Sequence, residues 1–199
     1  MAKLPVMLDG LNRWAYQAVG LLLIALLLGA GCAYAPPLAS RTQVHALQTA
    51  LVQLGPEVAE VEAARVADVA YDYPRELAAQ YRLVRPPLWH NFLINLGLKK
   101  RGLCYQWAED LEAKLQAMKL QTLELHWGVA HPGSFREHNT VVLTAPRQPF
   151  DSGIVLDPWR HSGVLYWGVV TDDTYPWREG LLTPAPASTA GANISESGH

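Results

Sequence analysis

Residues 102–129, which read GLCYQWAEDLEAKLQAMKLQTLELHWGV, contain a change from helical to strand periodicity. In the first half, apolar residues recur every three or four positions, which predicts a helix that begins at about Cys104. The members of that apolar stripe are Cys104, Trp107, Ala108, Leu111, Leu115 and Met118. In the second half, from Leu123 to Val129, apolar residues alternate with polar or small ones, which predicts a strand.

The residues that precede this stretch have helical character. Between 42 and 70, apolar residues recur at helical spacing, and Gly55-Pro56 is expected to divide the region into two helices, with Pro56 in the first turn of the second. Tyr73-Pro74 is expected to end the second helix, followed by a short helix over 75–81. The apolar positions of the first region are Leu47, Leu51, Leu54, Val58 and Val61.

A further helix is predicted to open at Pro86-Pro87. Leu88, Phe92 and Leu96 recur every four residues and are expected to form its apolar face. Gly97 is the expected stop, because glycine readily adopts the left-handed conformation that ends many helices.

The residues that follow the stretch predict further strands. Short apolar runs occupy 140–143, 153–156 and 164–170, and a turn-rich loop separates the first two. Helices therefore come first and strands later, an order that favours the α+β class over alternating βαβ units. We expect N-terminal helices packed on an antiparallel sheet.

Composition excludes several classes of protein. The chain has 199 residues, enough for one domain of ordinary size and a targeting segment. Half of the residues are apolar and 17% are charged, which is typical of a globular protein rather than a disordered one. A formal net charge of −2 lacks the basic excess of nucleic-acid-binding proteins, and two cysteines are too few for a disulfide-rich scaffold.

The N-terminal segment has the pattern of an export signal. Lys3 and Arg13 precede an apolar run at 18–28, and the small residues Gly29-Ala30-Gly31 then lead to Cys32. This arrangement resembles a bacterial lipoprotein signal peptide, and the alternative is an uncleaved membrane anchor. The resemblance implies that Cys32 becomes the lipid-bearing first residue of the mature protein, attached to the membrane.

The residue after Cys32 bears on the membrane to which the protein is sorted. The boundaries of the segments that follow are predicted from composition. Because Ala33 rather than Asp follows the cysteine, the resemblance implies outer-membrane sorting in a Gram-negative cell, with the domain facing the periplasm. We predict a signal peptide over 1–31, a tether over 32–41, one domain over 42–180 and a low-complexity, disordered tail over 181–199.

Cys104 is a candidate nucleophile. If Cys32 carries lipid, Cys104 is the only free thiol, and an unpaired cysteine in an exported protein suggests a reactive group or an intermolecular partner. The predicted helix N-terminus would stabilise a thiolate, and the Cys104 N–H is a natural oxyanion donor. The competing interpretation is a small buried hydrophobic residue on the apolar stripe.

His138 is the candidate base, and Asp157 is its candidate partner. If the hairpin folds symmetrically about Arg147-Gln148, residues whose numbers sum to 295 face each other, and His138 and Asp157 meet that condition. Directly opposed residues have Cβ atoms about 4.5–5.5 Å apart, close enough for a carboxylate to orient an imidazole. The alternatives are a structural histidine and an aspartate that precedes a turn proline.

Three segments resemble the transglutaminase-like branch of the papain-like cysteine enzymes. They are 102–108 (GLCYQWA) at a helix start, 137–142 (EHNTVV) entering a strand, and 153–159 (GIVLDPW) ending the next. The resemblance covers about 88–167 and implies that Cys104 is the nucleophile, His138 the general base and acid, and Asp157 the orienting group. The candidates for a side-chain oxyanion donor are Trp89, Asn91, Asn95 and Gln106.

The expected function is acyl transfer by a cysteine enzyme, either a peptidase or amidase or a transamidase, on a protein or peptide of the cell envelope. No cofactor is expected. A metal site formed by Cys104, His138 and a third ligand such as His161 is a less favoured alternative. The main alternative from another class is a non-enzymatic envelope lipoprotein that uses the same fold for binding or assembly.

Overall fold

The computed structural model describes residues 16–17, 19–20 and 33–181. The proposed signal peptide, Cys32 and the tail beyond residue 181 lie outside these residues, apart from the four positions just given. The helices are α1 (Arg41–Val52), α2 (Glu60–Gln80), α3 (Pro87–Asn95) and α4 (Cys104–Ala117). The strands are β1 (Glu124–Ala130), β2 (His138–Thr144), β3 (Ile154–His161), β4 (Val164–Val169) and β5 (Trp177–Gly180).

The strands form one antiparallel sheet in the order β4-β3-β2-β1-β5. The first four strands are joined in sequence, and β5 returns to the other edge of β1. The chain is therefore α+β, with its helices before an antiparallel sheet, which confirms the predicted class. The predicted helix start at Cys104 is also confirmed.

The main core lies between the helices and one face of the sheet. Leu111 and Leu115 of α4 are fully buried with Val141 and Leu143 of β2, because alternate residues of a strand point to the same side. Helices α1 and α2 complete this core with a set of fully buried side chains. These are Leu47, Leu51, Ala63, Val66, Ala67 and Ala70.

The opposite face of the sheet is covered as well. Val142 and Val155 pack there with Phe150 and Trp177, which belong to a loop turn and to β5. Every residue of β2 is buried as a result. A polar side chain at the start of β2 must consequently find its hydrogen-bond partners inside the protein.

The predicted break at Tyr73-Pro74 is wrong, because α2 runs through Pro74 to Gln80. Its start also differs, since the helix begins at Glu60 rather than near Pro56. Proline removes one helical hydrogen bond, a loss that packing of the following turn can offset. That turn is buried with α4, through a cluster of Leu77, Ala78, Tyr81, Leu83 and Trp107.

The predicted apolar face of α3 is exposed rather than buried. Gly97, the expected stop, lies two residues beyond the last residue of the helix and has a φ of +74°. His90 and Leu93 are the buried residues of this helix. The ring of His90 accepts a hydrogen bond from the Val84 N–H at Nδ1 (3.3 Å) and donates from Nε2 to the Arg101 carbonyl (2.9 Å). These two bonds orient α3, and burial lowers the pKa of His90 and keeps the ring neutral.

None of the described helices combines the length and the apolar character that crossing a membrane requires.

Candidate active site

The loop before α4 places Cys104 at the first position of that helix. The side-chain oxygen of Gln106 accepts hydrogen bonds from the N–H groups of Gly102 (2.8 Å) and Leu103 (3.1 Å). The indole of Trp107 donates to the Gly102 carbonyl (3.0 Å). Two residues of the helix therefore hold the backbone that leads into it, and Cys104 remains half-buried.

Gly102 allows α3 to approach this loop closely. Its φ is +128°, and a Cβ atom at this position would lie 2.4 Å from Nε2 of His90. Only glycine avoids both the backbone strain and this clash. The buried ring of His90 therefore packs directly against the backbone that positions Cys104.

His138 and Asp157 meet, as the sequence predicts, but through another register. Nε2 of His138 lies 2.6 Å from Oδ2 of Asp157, and both side chains are almost completely buried. The β2–β3 pairs are Val141 with Leu156 and Leu143 with Ile154, so the paired numbers sum to 297 and the predicted sum of 295 is wrong. Continued to position 157, this register makes His138 a diagonal neighbour of Asp157 on the same face.

Both carboxylate oxygens of Asp157 accept hydrogen bonds. Oδ1 accepts from the backbone N–H groups of Trp159 (3.0 Å) and Arg160 (3.1 Å). Oδ2 accepts from His138 and from Nε of Arg160 (3.0 Å). Burial alone would raise the pKa of Asp157, but these partners lower it and keep the carboxylate ionised.

Arg160 and Asp173 extend the network, and sequence reasoning missed both. The guanidinium donates from its two terminal nitrogens to both oxygens of Asp173 (2.9 and 2.8 Å), whose Oδ2 also accepts from the Trp177 indole (2.8 Å). The same guanidinium lies over the rings of Tyr166 (3.8 Å) and Tyr175 (4.7 Å). The only signal in the sequence is the spacing of Arg160 three residues after Asp157.

The other ring nitrogen of His138 faces a different environment. Nδ1 is buried and makes no hydrogen bond within the described residues. The Cys104 thiol interacts with the imidazole and also points towards the Glu137 carbonyl, with an Sγ–O distance of 3.8 Å. The structure therefore brings Cys104, His138 and Asp157 together in that order.

Aromatic rings enclose the imidazole of His138. The ring centroids of Trp159 and Tyr175 each lie 4.8 Å from that of His138, and that of Trp177 lies 5.4 Å away. Burial in this setting would lower the pKa of His138. Asp157 and Cys104 outweigh that effect and raise it to about 9. The ring is therefore an imidazolium at neutral pH.

The remaining site predictions have mixed outcomes. Gln106 shapes the Cys104 loop, whereas Asn91 accepts a hydrogen bond from the Trp159 indole (3.4 Å). Trp89 and Asn95 are exposed on α3.

His161, the third ligand of the alternative metal site, is exposed at the end of β3, against Tyr166. Within 33–181 and the four described N-terminal positions, no three His, Cys, Asp or Glu residues are grouped as metal ligands.

The raised pKa of His138 makes stability depend on pH. The pKa is about 9 in the folded protein and 6.5 in an unperturbed chain. The contribution of this proton to stability is complete below about pH 6.5 and is lost as pH rises through about 9. We expect urea denaturation to show that the free energy of unfolding falls as pH rises through about 9.

His138→Gln is the control for this pH dependence, because it removes the titrating group. The fall in the free energy of unfolding should be larger in the wild type than in the variant. Equal pH slopes in the two proteins would show that His138 carries no such proton.

Searches of protein-family models, curated proteins and solved structures gave no match to this chain.

Proposed function

We propose that the protein is an exported, lipid-anchored cysteine enzyme that transfers acyl groups, with a transglutaminase-like core. One observation carries the proposal: an Asp157–His138 hydrogen bond of 2.6 Å in a buried site, on a ring that also interacts with the Cys104 thiol. A nucleophile, a base and an orienting carboxylate in this order are the components of covalent acyl transfer.

The first half of the reaction uses the imidazolium as an acid. The Cys104 thiolate attacks the carbonyl carbon of an amide or ester, and the carbonyl π electrons move to oxygen. The N–H of Cys104 is in the first turn of α4, where helix geometry supplies no intrahelical acceptor, so it can donate to the oxyanion. When the tetrahedral intermediate collapses, the Nδ1 proton of His138 goes to the leaving amine or alcohol.

The second half restores the resting state. The acyl group is now a thioester on Cys104, and neutral His138 removes a proton from the attacking water or amine. Collapse of this second intermediate releases the acid or the new amide and regenerates the thiolate. Asp157 holds Nε2–H throughout, so that Nδ1 is the nitrogen that exchanges protons.

The lipoprotein-like leader supports the proposed location and class of substrate. A chain attached through lipid on Cys32 would act in the cell envelope, at the outer membrane facing the periplasm. Its substrate would then be an envelope protein or peptide. These assignments rest on the sequence pattern of 1–33, which lies largely outside the described residues.

A burst experiment tests the proposed chemistry without knowledge of the substrate. p-Nitrophenyl acetate is mixed with the full chain, and peptide mass spectrometry locates the acetyl group. We expect one equivalent of rapid p-nitrophenolate release, with acetylation at Cys104, and no burst in Cys104→Ala. Absence of a burst in the folded wild type would contradict the enzyme proposal and favour the binding module.

A further inference from the structure

Helix α3 presents an apolar surface to solvent, here called the α3 face: Leu88, Trp89, Phe92 and Leu96. Their exposed fractions are 70%, 46%, 47% and 55%. Leu88, Phe92 and Leu96 follow one another at four-residue spacing, and Trp89 stacks on Phe92 with ring centroids 5.2 Å apart. Large apolar side chains grouped on one exposed helix face mark an interaction site.

Basic residues lie at both ends of α3. Arg82 and Arg85 precede the helix and are exposed, and Lys99 and Lys100 follow it. Arg82, Lys99 and Lys100 line a cleft of about 690 Å³, which also contains Gln80, Tyr81, Leu98, Arg101 and Asp110.

The cleft keeps an excess of positive charge. Asp110 accepts hydrogen bonds from Arg101 (2.8 Å) and from the Tyr81 hydroxyl, and the same guanidinium also pairs with Glu109 (3.5 Å). These two carboxylates are outnumbered by the four basic residues of the cleft. Lys99 is fixed at the rim through a bond from Nζ to the Arg82 carbonyl (2.6 Å). Arg82, Lys99 and Lys100 therefore remain to attract an anionic partner.

The N-terminal tether reaches the body of the protein beside the start of α3. The N–H of Tyr34 donates to the Leu83 carbonyl (2.6 Å), and the Arg85 guanidinium lies 4.6 Å from the centre of the Tyr34 ring. Only one residue separates Tyr34 from Cys32, which follows the apolar run at 18–28. A membrane anchor on this segment therefore holds the bilayer close to the α3 face.

We propose that the α3 face docks onto an anionic lipid bilayer. Trp, Phe and Leu side chains bury their apolar groups at the headgroup boundary, and nearby Lys and Arg are attracted to anionic lipids. Attachment of the adjacent tether keeps the face at high effective concentration near the surface. This inference rests on the proposed membrane anchor, and it does not use the proposed acyl-transfer chemistry.

Docking has a consequence for the candidate active site. His90, on the buried side of α3, is bonded to Arg101 and packed against Gly102, two residues before Cys104. Asn91 of the same helix is bonded to Trp159, which contacts His138. A docked α3 therefore holds the site close to the bilayer, where membrane-bound peptides and proteins are the accessible substrates.

Trp89 is a suitable reporter, because the other five tryptophans of 33–181 are buried or half-buried. Trp14→Phe removes the seventh tryptophan of the chain. The full chain with this change is incorporated into vesicles of phosphatidylglycerol and phosphatidylcholine with brominated acyl chains, which quench tryptophans at the membrane. We expect quenching that is lost in Trp89→Phe and weaker in brominated phosphatidylcholine alone.

Matched variants separate docking from anchoring. Leu88→Gln/Phe92→Gln keeps the reporter and should remove its quenching while the protein still floats with the vesicles. Val61→Gln, which changes a 72% exposed residue on α2, should leave quenching unchanged, as should Cys104→Ala. Cys104→Ala lacks the proposed nucleophile, so quenching of Trp89 in this variant reports docking independently of catalysis. Failure of the docking proposal can therefore be distinguished from failure of the catalytic proposal.

Several results would overturn the docking proposal. They are an unquenched Trp89 in vesicle-bound protein, undiminished quenching in the Leu88→Gln/Phe92→Gln variant, and equal quenching in vesicles with and without phosphatidylglycerol. Failure of the full chain to float with the vesicles would overturn the anchor and the docking surface together. Protection of Trp89 from acrylamide without lipid quenching would assign the face to a protein partner instead.

Discussion

His138→Ala should lower the rate of Cys104 acylation by p-nitrophenyl acetate by about 10³-fold at neutral pH. The imidazolium that interacts with the thiol is lost, and with it the charge that stabilises a thiolate. Stopped-flow release of p-nitrophenolate measures this rate.

His161→Ala is the matched control, because it removes an exposed imidazole from the end of the strand that carries Asp157. Its acylation rate should remain within about twofold of the wild-type rate, because substitutions of exposed residues outside buried contacts have small effects. A His138→Ala protein that folds and acylates at the wild-type rate would exclude His138 from the chemistry.

Asp157→Asn should lower the same acylation rate by about 10³–10⁴-fold, because the substituted amide no longer supports the imidazolium or selects its tautomer. The amide NH₂ group would also face the N–H donors of His138 and Arg160, whose charges are buried. Leaving buried charges without their carboxylate should lower the free energy of unfolding by about 3 kcal/mol.

Urea denaturation and acylation of the same samples separate the two effects of Asp157→Asn. The matched control is Asp151→Asn, which changes an exposed carboxylate in the loop between β2 and β3. Wild-type acylation by Asp157→Asn would show that the carboxylate serves stability alone.

The sequence predicts the site better than it predicts the hairpin that carries it. The assumed centre of the hairpin pairs His138 with position 157, whereas the observed register, continued outward, places position 159 opposite it. A shift of two residues keeps both side chains on one face, whereas a shift of one would have separated them. The His138–Asp157 contact therefore survives an incorrect register.

Helix α3 shows why periodicity alone does not identify a buried face. Leu88, Phe92 and Leu96 form its most apolar stripe, yet the stripe containing His90 and Leu93 faces the protein. His90 is held by Val84 and by Arg101, and a pattern within the helix contains no information about such partners. Tertiary hydrogen bonds decide the orientation.

Arg160 and Asp173 were missed for a related reason. Their ion pair joins the end of β3 to the segment before β5, so it depends on how the chain returns past β4. No spacing rule connects positions thirteen residues apart across two turns. Helix starts and strand alternation are local properties, so the sequence predicts them. The Arg160–Asp173 ion pair forms only once the sheet is assembled.

The pH dependence of Cys104 alkylation tests the central claim most directly, namely that His138 activates this thiol. Iodoacetamide is added to the full chain, peptide mass spectrometry follows Cys104, and the denatured protein provides the rate of an unperturbed thiol. We predict a rate that changes little between about pH 6 and about pH 9, and that His138→Ala makes strongly pH-dependent. A wild-type rate that rises about tenfold per pH unit below about pH 8, as for an ordinary thiol, and that is unaffected by His138→Ala, would contradict the account.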